Sequence, residues 1–140
     1  MKRKFSSYGP VSNHSHYYCP RKELVDRAYT QLIGEKIEEG GHYYTVWAPR
    51  QAGKTWILQQ VLHRIEDDER FYIHKFNLQA FKDETDPLET FNYLMEQFGN
   101  KYGISFPEIS SLKKLGTLFT KTYLDKPVIF IMDEFDAFQE

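Results

Sequence analysis

The apolar positions of this chain change period several times, and each change marks an element. Leu24, Ala28 and Leu32 recur at helical spacing with Val25, Tyr29 and Ile33 beside them, and Pro20 suits a helical first turn. This predicts a helix that ends at Gly34 or frays towards the Gly40-Gly41 pair. Tyr43, Tyr44, Thr45, Val46, Trp47 and Ala48 are β-branched, aromatic or apolar throughout, as in a strand covered on both faces. Ile57, Leu58, Val61, Leu62 and Ile65 place an apolar stripe on one face of a second helix. Residues 71–76 form another strand candidate, interrupted by His74 and Lys75. Asp86 is an N-cap before a proline at the first helical position; Leu88, Phe91, Leu94, Met95 and Phe98 make the buried face, and Gly99 is the expected stop. Leu112, Leu115, Leu118, Phe119 and Tyr123 suggest a further helix, weakened by Gly116 and ended before Pro127. Residues 128–132 are the clearest buried strand. Strand, helix, strand, helices, strand is the order of crossover units on a parallel sheet, so the expected fold class is α/β, a partial parallel sheet with flanking helices.

Composition adds boundaries. Residues 1–19 mix Ser, Tyr, His, Gly and Pro without periodicity and read as an irregular arm, leaving residues 20–140 as the domain. His14, His16 and Cys19 lack a companion cluster to complete four metal ligands. With 41% hydrophobic and 27% charged residues the chain has the material for a core, and a net charge of −2 draws it neither to nucleic acid nor to an anionic membrane. Ten Tyr and eleven Phe fall mostly at core positions with no basic stripe, which again argues against nucleic acid. The single Cys19 fits a reducing compartment, Met1-Lys2-Arg3-Lys4 is followed by no apolar run, and residues 128–132 are too short a stretch to span a bilayer. The expectation is a cytoplasmic protein without a membrane span.

Two motifs carry chemistry. Ala48-Pro49-Arg50-Gln51-Ala52-Gly53-Lys54-Thr55 lies between an expected strand and an expected helix, and matches G-x-x-x-x-G-K-[ST] with alanine at the first glycine. A tight turn there aims successive N–H groups inward and the helix N-terminus adds partial positive charge. Gly53 admits a phosphate close to the backbone, Lys54 is a cation for the β- and γ-phosphates, and the Thr55 hydroxyl is a hard ligand for Mg²⁺. Arg50, Gln51, Ala52 and Trp56 complete the expected nucleotide-binding set. The second motif is the pair Asp133-Glu134 at the polar end of the last strand, where ligands of open parallel sheets bind. Asp133 is the expected Mg²⁺ ligand and Glu134 the group that activates water, with Lys54 as its catalytic partner; Asp136 reads as solvated. Either motif alone could be an ordinary helix start or acidic turn; both in this order point to ATP.

These residues resemble the additional-strand, catalytic-glutamate branch of P-loop ATPases, and within it AAA-like ATPases near the STAND and archaeal-type groups. The resemblance rests on Ala48 to Thr55, on Met132-Asp133-Glu134, and on Tyr18-Cys19-Pro20-Arg21-Lys22-Glu23-Leu24, which is similar to an arginine-containing box near the adenine, with Pro20 where that box has glycine. It implies a P-loop fold, ATP and Mg²⁺ as cofactors, and ATP hydrolysis coupled to an appended effector. It also implies a strand between the phosphate-loop strand and the acidic strand, a sensor residue and an arginine finger beyond Glu134, so that residues 1–140 alone are expected to show no significant ATPase activity and to be marginally stable or self-associate. The partners expected are ATP and either a homo-oligomer or a completing C-terminal half. Rival readings are a STAND-like switch with little hydrolysis, a P-loop kinase or GTPase, and an inactive truncated fragment.

Overall fold

In the computed structural model, residues 5, 15–17, 19–37, 41–49 and 51–135 are described, and they divide into one unit over Met1–Asp67 and another over Asp68–Glu140. His14, Tyr18, Gly40, Arg50 and Asp136, singled out above, lie outside the described residues, as do residues 1–4.

The first unit is built on two helices, α1 (Lys22–Ile33) and α2 (Lys54–Ile65). α1 ends where the glycine rule places it: Gly34 takes φ 67° and donates its N–H to the Thr30 carbonyl (3.0 Å). A Cβ there would also collide with the His42 imidazole. The helices are tied by an Arg64–Asp26 ion pair, with the same guanidinium stacked 4.3 Å over the Tyr29 ring. Ile57, Val61 and Ile65 are buried, so the stripe read from spacing is the inward face of α2.

The strand expected over residues 43–48 is not part of a ladder. Exposure still alternates along it, with Tyr43 and Trp47 81% and 90% exposed and Tyr44, Val46 and Ala48 half-buried, which is the period of a strand. Its composition specifies side chains suited to a pleated surface, but a strand also needs a hydrogen-bonding neighbour, and none is present among the described residues.

The second unit holds the sheet: β1 (Tyr72–Asn77) and β2 (Val128–Asp133) pair in parallel, Tyr72 opposite Val128 through Asn77 opposite Asp133. The α/β expectation therefore holds at the level of a two-stranded parallel sheet with flanking helices. Between the strands run a 3-10 turn (Leu78–Phe81), α3 (Pro87–Tyr102), a second 3-10 turn (Leu112–Lys114) and the single-turn α4 (Leu115–Leu118). α3 starts as the sequence says, with the Asp86 carboxylate accepting the Leu88 N–H (2.8 Å). It does not stop at Gly99. It runs on to Tyr102 and closes at Gly103, left-handed at φ 68°. Gly99 is needed for approach instead: a Cβ there would lie 2.3 Å from the Ile104 carbonyl oxygen. The helix expected over residues 112–123 shrinks to α4, because the Thr117 and Thr120 hydroxyls bond back to the Lys114 and Thr117 carbonyls and compete with helix propagation past Gly116.

Phe98, fully buried on α3, is the hub of this unit, with ring contacts to Tyr72 and His74 of β1, Phe130 of β2, and Tyr102 and Phe106. At the outer edge of β1 the Tyr102 hydroxyl both accepts the Ile73 N–H (2.8 Å) and donates to the Ile73 carbonyl (2.6 Å), a carbonyl that Lys101 also reaches (2.7 Å). Among the described residues no helix is long and apolar enough to cross a membrane.

His74 faces this aromatic cluster with a buried Nδ1 that has no hydrogen-bond partner. Burial, and secondarily the Lys101 charge, hold its imidazole below the ordinary histidine pKa of 6.5. A depressed histidine pKa means that the unfolded chain takes up the proton first. Stability is therefore full above the unfolded value and falls as pH drops from about 7 towards 5. His74→Phe should flatten that fall in a pH series of melting temperatures; a slope equal to wild type would show that His74 does not carry it.

Candidate functional site

In the first unit the phosphate-loop motif forms the end of the loop before α2. Gly53 caps the helix in the left-handed region (φ 81°, ψ 24°), Lys54 is its first residue, Thr55 and half-buried Trp56 follow, and the Ile57 N–H closes the first turn on the Gly53 carbonyl (3.2 Å). Gln51, exposed, is also left-handed (φ 60°), and the Ala52 N–H turns back to the Pro49 carbonyl (3.3 Å). A left-handed residue followed by a right-handed one turns consecutive N–H groups to a common side, the backbone arrangement that receives anions, and the start of a twelve-residue helix adds its dipole.

The Lys54 side chain is folded back onto its own loop. Its Nζ donates to the Ala48 carbonyl (2.8 Å) and the Pro49 carbonyl (3.2 Å). Arg21, the residue before α1, donates from Nη1 to the Ala52 carbonyl (2.6 Å), and its guanidinium lies 3.5–3.6 Å from where a Gly53 Cβ would be. Arg21 thus braces the loop before α2. The sequence flags the box but not this target, because contact between residues so far apart in the chain leaves no local periodicity.

In the second unit Asp133 ends β2 and is buried, 9% exposed. Its Oδ1 accepts the Glu134 N–H (3.2 Å), and its Oδ2 pairs with the Lys75 ammonium at 2.9 Å. Lys75 stands on β1 two residues before Asn77, the register partner of Asp133, so strand alternation puts both side chains on one face. Lys75, an irregularity in the apolar pattern, is thus the counter-charge of the acidic strand end. Glu134 follows exposed and left-handed, with φ 59°.

Among the described residues Gln51 and Glu134 are the two non-glycine residues with positive φ. Neither has the short side chain that eases this conformation in Asn or Asp, and each costs about 1–2 kcal/mol. One lies in each motif. Strain of this kind persists where the surroundings over-determine it, and it concentrates at ligand sites. Comparison with known proteins finds no matching family model, no matching curated protein and no matching solved structure.

If the Arg21–Ala52 bond braces the loop, Arg21→Ala should speed amide exchange across residues 51–55 about fivefold, the effect of losing about 1 kcal/mol of local stability. Hydrogen exchange read by mass spectrometry checks this, and unchanged protection there would show that the bond holds nothing.

Proposed function

We propose that this chain carries the phosphate-loop and acidic-strand portion of a P-loop domain of the AAA-like kind, which binds Mg²⁺-ATP and uses it hydrolytically in the intact protein. The observation that carries the reading is the coincidence of backbone strain with the two motifs: Gln51 beside the Gly53-Lys54-Thr55 turn, and Glu134 beside the strand-terminal Asp133. The parts fit the ligand chemistry. The left-handed cap at Gly53 suits a backbone that must approach phosphate, and Lys54 already shows that it can reach the loop's own oxygens. Thr55 and Asp133 offer hard oxygens, and Mg²⁺ takes only one or two such groups, keeping phosphate and water for the rest.

In this reading the amides of residues 51–56 and the Lys54 ammonium of the first unit would hold the phosphates, with Thr55 a candidate metal ligand there; in the second unit Asp133 is the candidate metal carboxylate. Bound Mg²⁺ supplies charge neutralisation on the β- and γ-phosphates. Glu134 orients a water towards the γ-phosphorus and takes its proton as the bond to the ADP oxygen breaks. The left-handed turn at Glu134 takes this residue off the line of β2, so its exposed carboxylate is free to serve a ligand while Asp133 stays anchored in the strand. The Lys75–Asp133 pair favours a second reading, a nucleotide-dependent switch with little hydrolysis, because the metal carboxylate carries a counter-charge of its own.

A first test is thermal. Saturating Mg²⁺-ATP at about a hundred times its Kd should stabilise the chain by about 2.7 kcal/mol. Lys54→Ala should abolish that gain while costing the unliganded chain only about 1 kcal/mol for its bonds to the Ala48 and Pro49 carbonyls. Equal stabilisation of both proteins would remove the assignment.

A second test separates binding from chemistry. In a version that also carries the implied further strand, sensor and arginine finger, Glu134→Gln should keep the ATP-induced stabilisation and slow phosphate release about a hundredfold. Undiminished release would move the hydrolytic role elsewhere, and stabilisation without release in the wild type would favour the switch.

A further inference from the structure

Lys75 belongs to no motif, yet it makes a close charged contact with Asp133, the carboxylate that the nucleotide reading assigns to the metal. Three features make that contact more than a surface ion pair. Both partners are mostly enclosed, with Lys75 25% and Asp133 12% exposed at the side chain, so solvent screens them weakly. Both are fixed by the register of β1 and β2 and not by loops. And the other carboxylate oxygen is engaged by the Glu134 N–H, so neither oxygen of Asp133 lacks a partner.

A divalent cation that takes Asp133, directly or through a water, must share the carboxylate with an ammonium at 2.9 Å, and cations of +2 and +1 so placed repel strongly at low effective dielectric. We propose that Lys75 is the built-in counter-ion of Asp133 and competes with Mg²⁺ for it, so that metal-nucleotide binding is linked to release of Lys75 from the strand end. This rests on the nucleotide reading above and adds regulation to it: the metal step has an internal antagonist. The freed ammonium of a lysine on its flexible stem can then move, whereas Asp133 cannot, being the last residue of its strand.

The test titrates Mg²⁺ against the full chain at a fixed saturating concentration of a non-hydrolysable ATP analogue, with the rise in melting temperature as the readout. Lys75→Gln should lower the half-saturating Mg²⁺ about tenfold, the scale expected when one repelling charge near the metal is removed. Lys75→Arg keeps the pair, and with it the fold, and should need as much Mg²⁺ as wild type or more, because a guanidinium grips a carboxylate with two donors. In wild type, amine-reactive labelling of Lys75 followed by mass spectrometry should increase when Mg²⁺ and the analogue are added together. A normal wild-type response with an unchanged or raised Mg²⁺ requirement in Lys75→Gln would overturn the competition alone. If Lys75→Gln does not fold, a lowered requirement in Lys75→Arg or reduced labelling of Lys75 would do the same. Absence of any Mg²⁺-analogue response in wild type would withdraw the nucleotide reading and this proposal together.

Discussion

Parallel strands cannot be joined by a tight turn, and most of the second unit follows from that constraint. To bring Val128–Asp133 alongside Tyr72–Asn77 in the same direction, the chain must leave one end of the sheet and return to the other. α3 makes most of that return, and its full length is used: Asp86 starts it, Gly103 ends it, and Phe98 near its far end locks to both strands. The same constraint puts the carboxyl ends of both strands at one edge. Asp133 and Glu134 emerge there, and Lys75 lies one alternation behind.

The two motifs share a design although each is described within its own unit. In both, a charged side chain that the proposed ligand would use is already engaged within the chain, Lys54 by two carbonyls and Asp133 by Lys75. In both, a non-glycine residue is held left-handed beside it. Charged groups with partners keep the fold intact without ligand, since an unpaired enclosed charge is costly. They also mean that ligand binding exchanges contacts as well as adding them.

How much of this was legible in the sequence depends on how local the cause is. β1 and β2 were readable within one residue of their observed ends because a run of apolar and aromatic side chains is sufficient signal for a buried strand. The start of α3 was readable because Asp86 and Pro87 act on their immediate neighbours. Gly99 misled, since a glycine required by the nearby Ile104 carbonyl looks the same as one required by a left-handed turn. Residues 43–48 have the side chains of a strand, but no local signal reports whether a neighbour is there to pair with. At the site, Gly53, Lys54 and Asp133 were visible as motif letters. Arg21 and Lys75 were not assigned their contacts, because these are set by helix placement and strand register, which only the fold decides.

The hydroxyl of Tyr102 has a consequence for how the sheet meets its surroundings. A strand at a margin offers its backbone to any extended chain that arrives, but at Ile73 that offer is withdrawn, donor and acceptor both satisfied by one phenol with Lys101 beside it. At Ile73, therefore, β1 cannot pair with a further strand without displacing that phenol. A strand that joined the sheet on the other flank, alongside β2, would lie next to the strand that ends in Asp133. A tyrosine that closes one border at Ile73 thus leaves the flank of the acidic end as the more open side for a newcomer to this sheet.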